Sequence, residues 1–197
     1  MKKIVYILLA IAVSACFNPV MAKKLGDLNF PNHVEIPGTH TRLQLNGVGY
    51  RTKFFFKIYA GALYTKKRVS SRDAVQALNG PKRVVMHFIY GEVGREKLVD
   101  AWNEGFEDNT SAAQFKKLQP AIRQFDAMFA DLKKGDIVLL DYIPGVGTRV
   151  SIKGKVKGVI KGRGFNTALL DIWLGDEPAD DDLKEAMLAS DDSDDEY

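Results

Sequence analysis

Arg51 and Tyr59 are the two residues of this chain whose side chains point most directly to a binding chemistry. Both lie in the stretch Leu43–Tyr64, LQLNGVGYRTKFFFKIYAGALY, whose aromatic and β-branched residues favour strands. A guanidinium in such a setting must be paired or solvated, because the burial of an unpaired charge is too costly. Its partner is either a carboxylate of the protein, for which Asp141 and Glu92 are candidates, or the carboxylate of a ligand. A tyrosine hydroxyl can donate one further hydrogen bond to such a ligand.

The spacing of Arg51 and Tyr59 sets a geometric condition on a shared site. On one straight strand they would lie roughly 26 Å apart, at about 3.3 Å per residue, which is too far to hold one carboxylate. A turn or sharp bend between them is therefore required. Thr52-Lys53 is its predicted place, but the three phenylalanines that follow carry no turn signal, which leaves the place of the turn open.

Established catalytic and metal-binding motifs are missing from the sequence. There is no G-x-S-x-G, no H-E-x-x-H and no phosphate-binding loop, and the GVG at 145–147 falls between two predicted strands. His33, His40 and His87 do not stand at metal-ligand spacing from one another. We therefore expect no metal and no cofactor, and we assign no catalytic residue. Enzyme activity stays open as an alternative.

The order of the predicted elements indicates the fold class. Weak alternation predicts a pair of edge strands between Leu25 and Ile36, followed by the strand pair in Leu43–Tyr64. Further strands are predicted at 83–90, 137–143, 147–152 and 156–160. Helices are predicted after Ser70 or Ser71, through Leu98, Trp102 and Phe106, after Pro120, at 165–174, and from Asp180 or Asp181 onward. This order predicts an α+β fold, an antiparallel β-sheet with helices packed on one face as an open-faced sandwich.

The N-terminus predicts export. Lys2 and Lys3 precede an apolar run that ends at Phe17, and Val20-Met21-Ala22 is typical of a signal-peptide cleavage site. We expect a signal peptide at 1–22 and a periplasmic mature protein. The alternative is a lipoprotein anchored through Cys16, since Val13-Ser14-Ala15-Cys16 resembles a lipoprotein processing box. Cleavage after Ala22 removes the chain's single cysteine and so excludes disulfides from the mature protein.

Charge is unevenly distributed along the chain. Residues 23–175 carry 25 basic and 14 acidic residues, whereas residues 176–197 carry 11 acidic residues and one lysine. The acidic run at 190–197 is predicted to be a disordered tail. Basic residues in the strands at 147–163 are interpreted as a solvated strand face, with contact to an anionic membrane surface as the alternative. Nucleic acid is not an expected partner of an exported protein, and the oligomeric state is open.

Four segments resemble the bacterial chalcone isomerase-like proteins in their order and spacing. They are LNGVGYRTKFFFKIYAGALY within Leu43–Tyr64, GPKRVVMHF at 80–88, KKGDIVLLDYIPGVGT at 133–148 and ALLDIWLGDEPADDDLKEAML at 168–188. The resemblance covers the predicted mature domain, 23–189. It implies the chalcone isomerase-like fold, which serves plant isomerases and fatty-acid-binding proteins alike.

The same resemblance implies roles for individual residues. An arginine at the position of Arg51 pairs with the substrate phenolate in the plant enzymes. The enzymes' other polar site residues are replaced here by Tyr59, Gly94, Ala101 and Ile172. An arginine with a tyrosine instead resembles the fatty-acid-binding branch, in which these residues hold a carboxylate.

The predicted function is non-catalytic binding of a fatty acid or a similar small amphipathic carboxylate in a cleft between the sheet and the helices. Arg51 and Tyr59 are expected to bind the carboxylate. The expected lining of the alkyl tail is Phe55, Trp102, Phe106, Phe125 and Phe129. The alternatives are an isomerase or lyase that uses Arg51 as an oxyanion site, and an envelope interaction protein.

Overall fold

The computed structural model describes residues 21–188. Residues 1–20 of the predicted signal peptide and the acidic tail predicted at 190–197 lie outside the described residues. The first strand begins at Ala22, the last residue of the predicted signal peptide. Between residues 21 and 188, no helix is both long and apolar enough to cross a membrane.

The centre of the fold is a seven-stranded antiparallel sheet with the order β11-β10-β9-β6-β5-β4-β3. Two short hairpins, β1–β2 and β7–β8, accompany it. The strands are β1 Ala22–Leu25, β2 Leu28–Pro31, β3 His33–Ile36, β4 Thr41–Lys53, β5 Phe56–Thr65, β6 Lys82–Phe88, β7 Glu92–Val93, β8 Leu132–Lys133, β9 Ile137–Ile143, β10 Gly147–Ile152 and β11 Lys155–Ile160.

The helices begin and end mostly where the sequence places them. They are α1 Arg72–Ala77, α2 Arg95–Asp108, α3 Ala112–Asp126, α4 Arg163–Leu174 and α5 Asp181–Leu188. Ser71 caps α1 by accepting a hydrogen bond from Ala74 N, as predicted. Asp180 caps α5 by accepting one from Leu183 N. The predicted α+β class is confirmed.

The helix predicted after Pro120 begins eight residues earlier, at Ala112. Ser111 caps it by accepting a hydrogen bond from Gln114 N, and Pro120 lies inside it. Proline removes one backbone hydrogen bond, which usually ends a helix. Here Pro120 is exposed, so water can reach the unpaired carbonyl, while buried Ile122 and Phe125 hold the following turns against the core.

Both faces of the sheet are covered, by different partners. The helices bury one face in a large apolar core that includes Leu63, Met86, Leu140, Phe106 and Trp173. The N-terminal hairpin β1–β2 packs on part of the other face, where Phe30 joins residues of β4 and β5. The Tyr64 hydroxyl donates a hydrogen bond of 3.0 Å to the carbonyl of Pro31 and fixes this hairpin. The chain thus adds a second, smaller layer to the predicted open-faced sandwich.

Helix α5 lies directly on the backbone of β4 and β5 because these strands carry glycines beneath it. A Cβ atom at Gly47 would lie 2.0 Å from the carbonyl oxygen of Ala186, and one at Gly49 would lie 2.6 Å from the Ala186 Cβ. A Cβ at Gly61 would lie 2.9 Å from the Met187 Cε. Only glycine permits this approach, which places the start of α5 beside Arg51.

We expect Gly47→Ala to lower the free energy of unfolding by about 2–3 kcal/mol, because the new methyl group meets backbone atoms that cannot turn aside. Urea denaturation measures this effect. Gly164→Ala is the matched control, since no atom lies within 4 Å of a Cβ added there and alanine favours a helix. Equal stabilities of Gly47→Ala and wild type would contradict the close packing of α5.

Candidate functional site

A tight hairpin brings Arg51 directly opposite Tyr59. Lys53 pairs with Phe56, which leaves Phe54-Phe55 as a two-residue loop, and Arg51 pairs with Tyr59 across β4 and β5. The turn predicted at Thr52-Lys53 was wrong, since both residues lie within β4. Residues opposite one another on antiparallel strands have Cα atoms about 4.5–5.5 Å apart. The two side chains therefore meet the geometric condition for a shared site.

The Arg51 guanidinium is half-buried and makes no hydrogen bond or ion pair with the described part of the chain. The two protein carboxylates that were alternatives for it are used elsewhere. Asp141 is buried between Arg83 and Arg149, with a distance of 3.0 Å from Arg149 Nη2 to Asp141 Oδ2. Glu92 lies 3.7 Å from Lys133. Within residues 21–188, no carboxylate therefore forms an ion pair with Arg51.

Tyr59 is buried, with only 5% of its surface exposed, and its hydroxyl is held from the core side. Trp173 Nε1 donates a hydrogen bond of 2.8 Å to the hydroxyl oxygen. Burial raises the pKa of Tyr59 to about 12, against the opposing effect of the Arg51 charge. The phenol is therefore protonated at neutral pH. Its own hydrogen has no acceptor among residues 21–188.

The Asp180 carboxylate binds two backbone N–H groups at the edge of the site. Its Oδ2 accepts a hydrogen bond of 2.7 Å from Thr52 N, and its Oδ1 accepts one of 2.9 Å from Leu183 N. This carboxylate joins β4, one residue beyond Arg51, to the start of α5. Its charge contributes to the raised pKa of Tyr59, so it lies within electrostatic reach of the phenol.

Trp102 and Phe106 lie deeper in the core, on α2. The Trp102 ring centroid is 5.7 Å from that of Trp173, so Trp102 is linked to Tyr59 through Trp173. Phe106 packs instead against Phe125, at a centroid distance of 6.2 Å, and against Phe165, at 5.6 Å. Trp102 Nε1 is buried and has no hydrogen-bond partner in the described residues. Aromatic rings therefore lead from the polar end of the site into the core.

The expected lining of the tail is only partly supported by these positions. Phe125 and Phe129 are buried beside Trp102, at ring centroid distances of 5.3 Å and 5.6 Å. Phe55 was assigned wrongly, because it is the second residue of the hairpin loop and is 96% exposed. The sequence had placed it within a strand, where alternation would have turned it toward the core.

Sequence reasoning missed Trp173 and Asp180. A buried tryptophan usually needs an acceptor for its N–H, so Trp173 in the apolar helix α4 was a signal that a hydroxyl or carbonyl lies nearby. Asp180 was identified only as a cap of α5. Its second bond, to Thr52 N, joins residues 128 positions apart, which no local pattern reveals.

No group of three or more histidine, cysteine, aspartate or glutamate residues within 21–188 is arranged to hold a metal ion. His87 lies opposite Ala60 on β5, so it points to the sheet face away from Tyr59. Burial lowers the pKa of His87 and keeps it neutral at neutral pH. The groups at the site itself, a guanidinium and a phenol, are both hydrogen-bond donors, and such donors suit an anionic ligand.

We expect the stability advantage of wild type over Tyr59→Phe to shrink as pH rises from 10 toward 12. At neutral pH the substitution should cost about 1–3 kcal/mol, because the Trp173 N–H loses its acceptor. The pKa of Tyr59 is about 12 in the folded chain and 10 in the unfolded chain, so the unfolded chain ionises first. The difference in free energy of unfolding between wild type and Tyr59→Phe is therefore largest below pH 10. It should fall by about 2–3 kcal/mol by pH 12.

Urea denaturation of both proteins at pH 8 and at several values above pH 10 checks this expectation. The other tyrosines are common to both proteins, so their ionisation cancels in the difference. A difference in stability that does not change with pH would mean that Tyr59 is not buried as described.

Comparison with known proteins agrees with this architecture. The model of the family described as chalcone isomerase-like matches residues 22–189. A crystal structure of a fatty-acid binding protein from Arabidopsis thaliana superposes with a TM-score of 0.64 at 17% sequence identity, covering 82% of this chain and 91% of that chain. A search of curated proteins gave no match. This structural likeness shows a shared fold, and the family match shows that the chain belongs to the chalcone isomerase-like family.

Proposed function

We propose that this protein is exported and binds a fatty acid or a similar small hydrophobic carboxylate without transforming it. One observation carries the proposal. Arg51 and Tyr59 face each other across two paired strands, and neither the guanidinium nor the phenolic hydrogen has an acceptor in residues 21–188. Donors that lie opposite each other on paired strands and lack a protein acceptor are suited to an anionic ligand.

A carboxylate matches these donors in charge and in number of acceptor sites. A guanidinium binds a carboxylate through two parallel hydrogen bonds, and the phenol can donate a third to the same group. Trp173 and Asp180 hold the phenol and the adjoining strand in place before a ligand arrives. This preorganisation lowers the cost of binding.

The alkyl tail is proposed to lie between the sheet and the helices, beside Trp102 and Phe106. These rings now pack against other aromatic side chains, so the tail must displace some of those contacts. The unpaired Trp102 N–H marks a place where the core is not fully satisfied. The fold shared with a fatty-acid binding protein supports the same ligand class.

An isomerase or lyase is the second candidate, since a guanidinium can also stabilise an oxyanion. Binding is favoured because the phenol of the site is a poor proton carrier near neutral pH. Burial raises the pKa of Tyr59 to about 12. A general acid or base is most effective when its pKa lies near the working pH.

Export is proposed from the signal-like N-terminus, with cleavage after Ala22 and a periplasmic location. Processing at Cys16 to an anchored lipoprotein is the competing outcome. The mass of the mature N-terminal peptide separates the two. Contact with an anionic membrane surface belongs to the same proposal, because long-chain fatty acids enter and leave bilayers.

We expect Arg51→Gln to weaken palmitate binding by about tenfold or more, because one charge-assisted hydrogen-bonded contact contributes about 1.5–3 kcal/mol. Arg51 makes no contact within the described chain that the substitution would remove, so folding should be unaffected. Binding can be followed by titration calorimetry and by the fluorescence of the two tryptophans, Trp102 and Trp173.

Lys53→Gln is the matched control. Lys53 lies on the same strand and the same strand face as Arg51, two residues nearer the loop, and it is exposed. It should bind palmitate within about threefold of wild type. Palmitate methyl ester, which lacks the charge, should bind wild type no better than palmitate binds Arg51→Gln. Equal binding of acid and ester, or equal losses in the two variants, would exclude Arg51 as the carboxylate anchor.

A further inference from the structure

The tip of the β4–β5 hairpin exposes an unusual set of aromatic side chains. Phe54, Phe55 and Phe56 are consecutive and are 84%, 96% and 57% exposed. Tyr90 is 39% exposed, and its ring centroid lies 5.6 Å from that of Phe56. The other large apolar residues that are exposed in residues 21–188 lie singly, at Met21, Ile137, Val146 and Val156. Contiguous exposed apolar groups in a soluble domain usually mark an interaction surface.

The backbone of the tip is held in a form that phenylalanine disfavours. Phe54 has a φ of 58°, in the left-handed region, at the first position of a two-residue hairpin loop. Glycine or asparagine usually occupies such a position, because a bulky side chain there is strained. Neither Phe54 nor Phe55 has a ring contact within the described chain that would offset this strain. A strained residue with no packing role indicates a function for the side chain.

The charge around the tip indicates its partner. Lys53 and Lys57 flank the phenylalanines, and the Lys57 Nζ lies 3.8 Å from the centroid of the Tyr50 ring. Lys134 is exposed. It lies at the same end of the sheet as the tip, because its backbone N–H donates a hydrogen bond to the carbonyl of Gly91, the residue after Tyr90. No ion pair within residues 21–188 neutralises these three lysines, whereas Lys133 and Lys153 nearby are paired with Glu92 and Asp136.

We propose that the hairpin tip Phe54–Phe56 inserts into the interface of an anionic phospholipid bilayer, with Lys53, Lys57 and Lys134 at the level of the headgroups. Exposed aromatic rings flanked by lysines combine apolar burial with attraction to anionic lipid, as interfacial anchors do. This assigns membrane contact to the hairpin tip, and not to the basic strands β10 and β11 from which it was predicted.

The tip is continuous with the site for the carboxylate. Arg51 lies three residues from Phe54, roughly 10 Å along the strand. Interfacial anchors bury about 5–10 Å into the boundary between headgroups and acyl chains. Arg51 would therefore lie near the headgroups, where the carboxylate of a membrane fatty acid is found. This link to ligand exchange rests on the proposed function, whereas membrane insertion itself does not.

The test uses Phe54→Asn/Phe55→Gly in the mature protein, in co-sedimentation with vesicles of phosphatidylglycerol and phosphatidylethanolamine that contain no fatty acid. Asn-Gly is a favoured two-residue hairpin loop, so the variant should fold at least as stably as wild type. We expect its vesicle affinity to fall at least about tenfold, because most of the exposed apolar area of the tip is removed. Lys53→Gln/Lys57→Gln should weaken binding to these vesicles but not to vesicles of phosphatidylcholine alone.

Val146→Ser/Val156→Ser is the matched control, since it removes two exposed apolar side chains that lie outside the β4–β5 hairpin, in the β9–β10 turn and on the edge strand β11. It should bind vesicles as wild type does. An equal loss in both double variants, or full binding by Phe54→Asn/Phe55→Gly, would overturn the proposal. The proposal would also be overturned if wild type bound no vesicles and instead self-associated, and if the tip variant abolished that self-association. The partner of the tip would then be a second copy of the chain.

The same preparations separate this inference from the proposed function. Arg51→Gln should keep the part of vesicle binding that depends on the tip, and the tip variant should still bind palmitate in solution. If no protein binds palmitate while vesicle binding depends on the tip, the membrane proposal stands and the carboxylate site is refuted. If palmitate binding depends on Arg51 but vesicle binding is absent or does not depend on the tip, the carboxylate site stands and the membrane proposal is refuted.

Discussion

The antiparallel register of β4 and β5 is the constraint on which the rest of this structure depends. With Lys53 opposite Phe56, the loop has two residues, and a regular ladder would place Arg51 opposite Ile58; the observed pairing places Arg51 opposite Tyr59. A shift of one residue would turn Tyr59 to the other face and away from Trp173. The shift of register between Arg51 and Thr52 shows that the pairing is adjusted by a bulge at this point. One register thus positions both the Arg51–Tyr59 pair and the aromatic tip.

Contacts from distant parts of the chain hold this register. Asp180 bonds to Thr52 N on β4 and to the start of α5, and α5 lies on glycines of β4 and β5. On the other face, Arg83, Asp141 and Arg149 stand in register on β6, β9 and β10, and the carboxylate is shared by two guanidinium groups. Asp141 lies on that other face and pairs with Arg83, toward the end of the strands away from Arg51, so it cannot reach the Arg51 guanidinium.

Much of the fold could be predicted from the sequence, because period-two alternation and capping residues are local signals. The strands β9 and β10 and the caps at Ser71 and Asp180 were found in this way. The hairpin turn was not, because Phe54-Phe55 has none of the residues that normally make such turns. The same absence of signal led to the wrong assignment of Phe55. Of the polar residues at the site, only Arg51 and Tyr59 were predicted. Trp173 and Asp180 were missed because they contact the site from distant positions in the sequence.

The aromatic packing beside the site limits which carboxylates it can hold. Separating three aromatic pairs, such as those of Trp102 with Phe125, Phe129 and Trp173, forfeits about 0.5–1.5 kcal/mol for each pair. A methylene group gains about 0.8 kcal/mol when it leaves water for an apolar core. A short acid would bury too few methylenes to offset the lost contacts. A tail that buries about ten methylenes would gain about 8 kcal/mol, which exceeds the loss of about 1.5–4.5 kcal/mol for the three pairs. If the site binds as proposed, the filled core therefore favours carboxylates with a long alkyl chain over short ones.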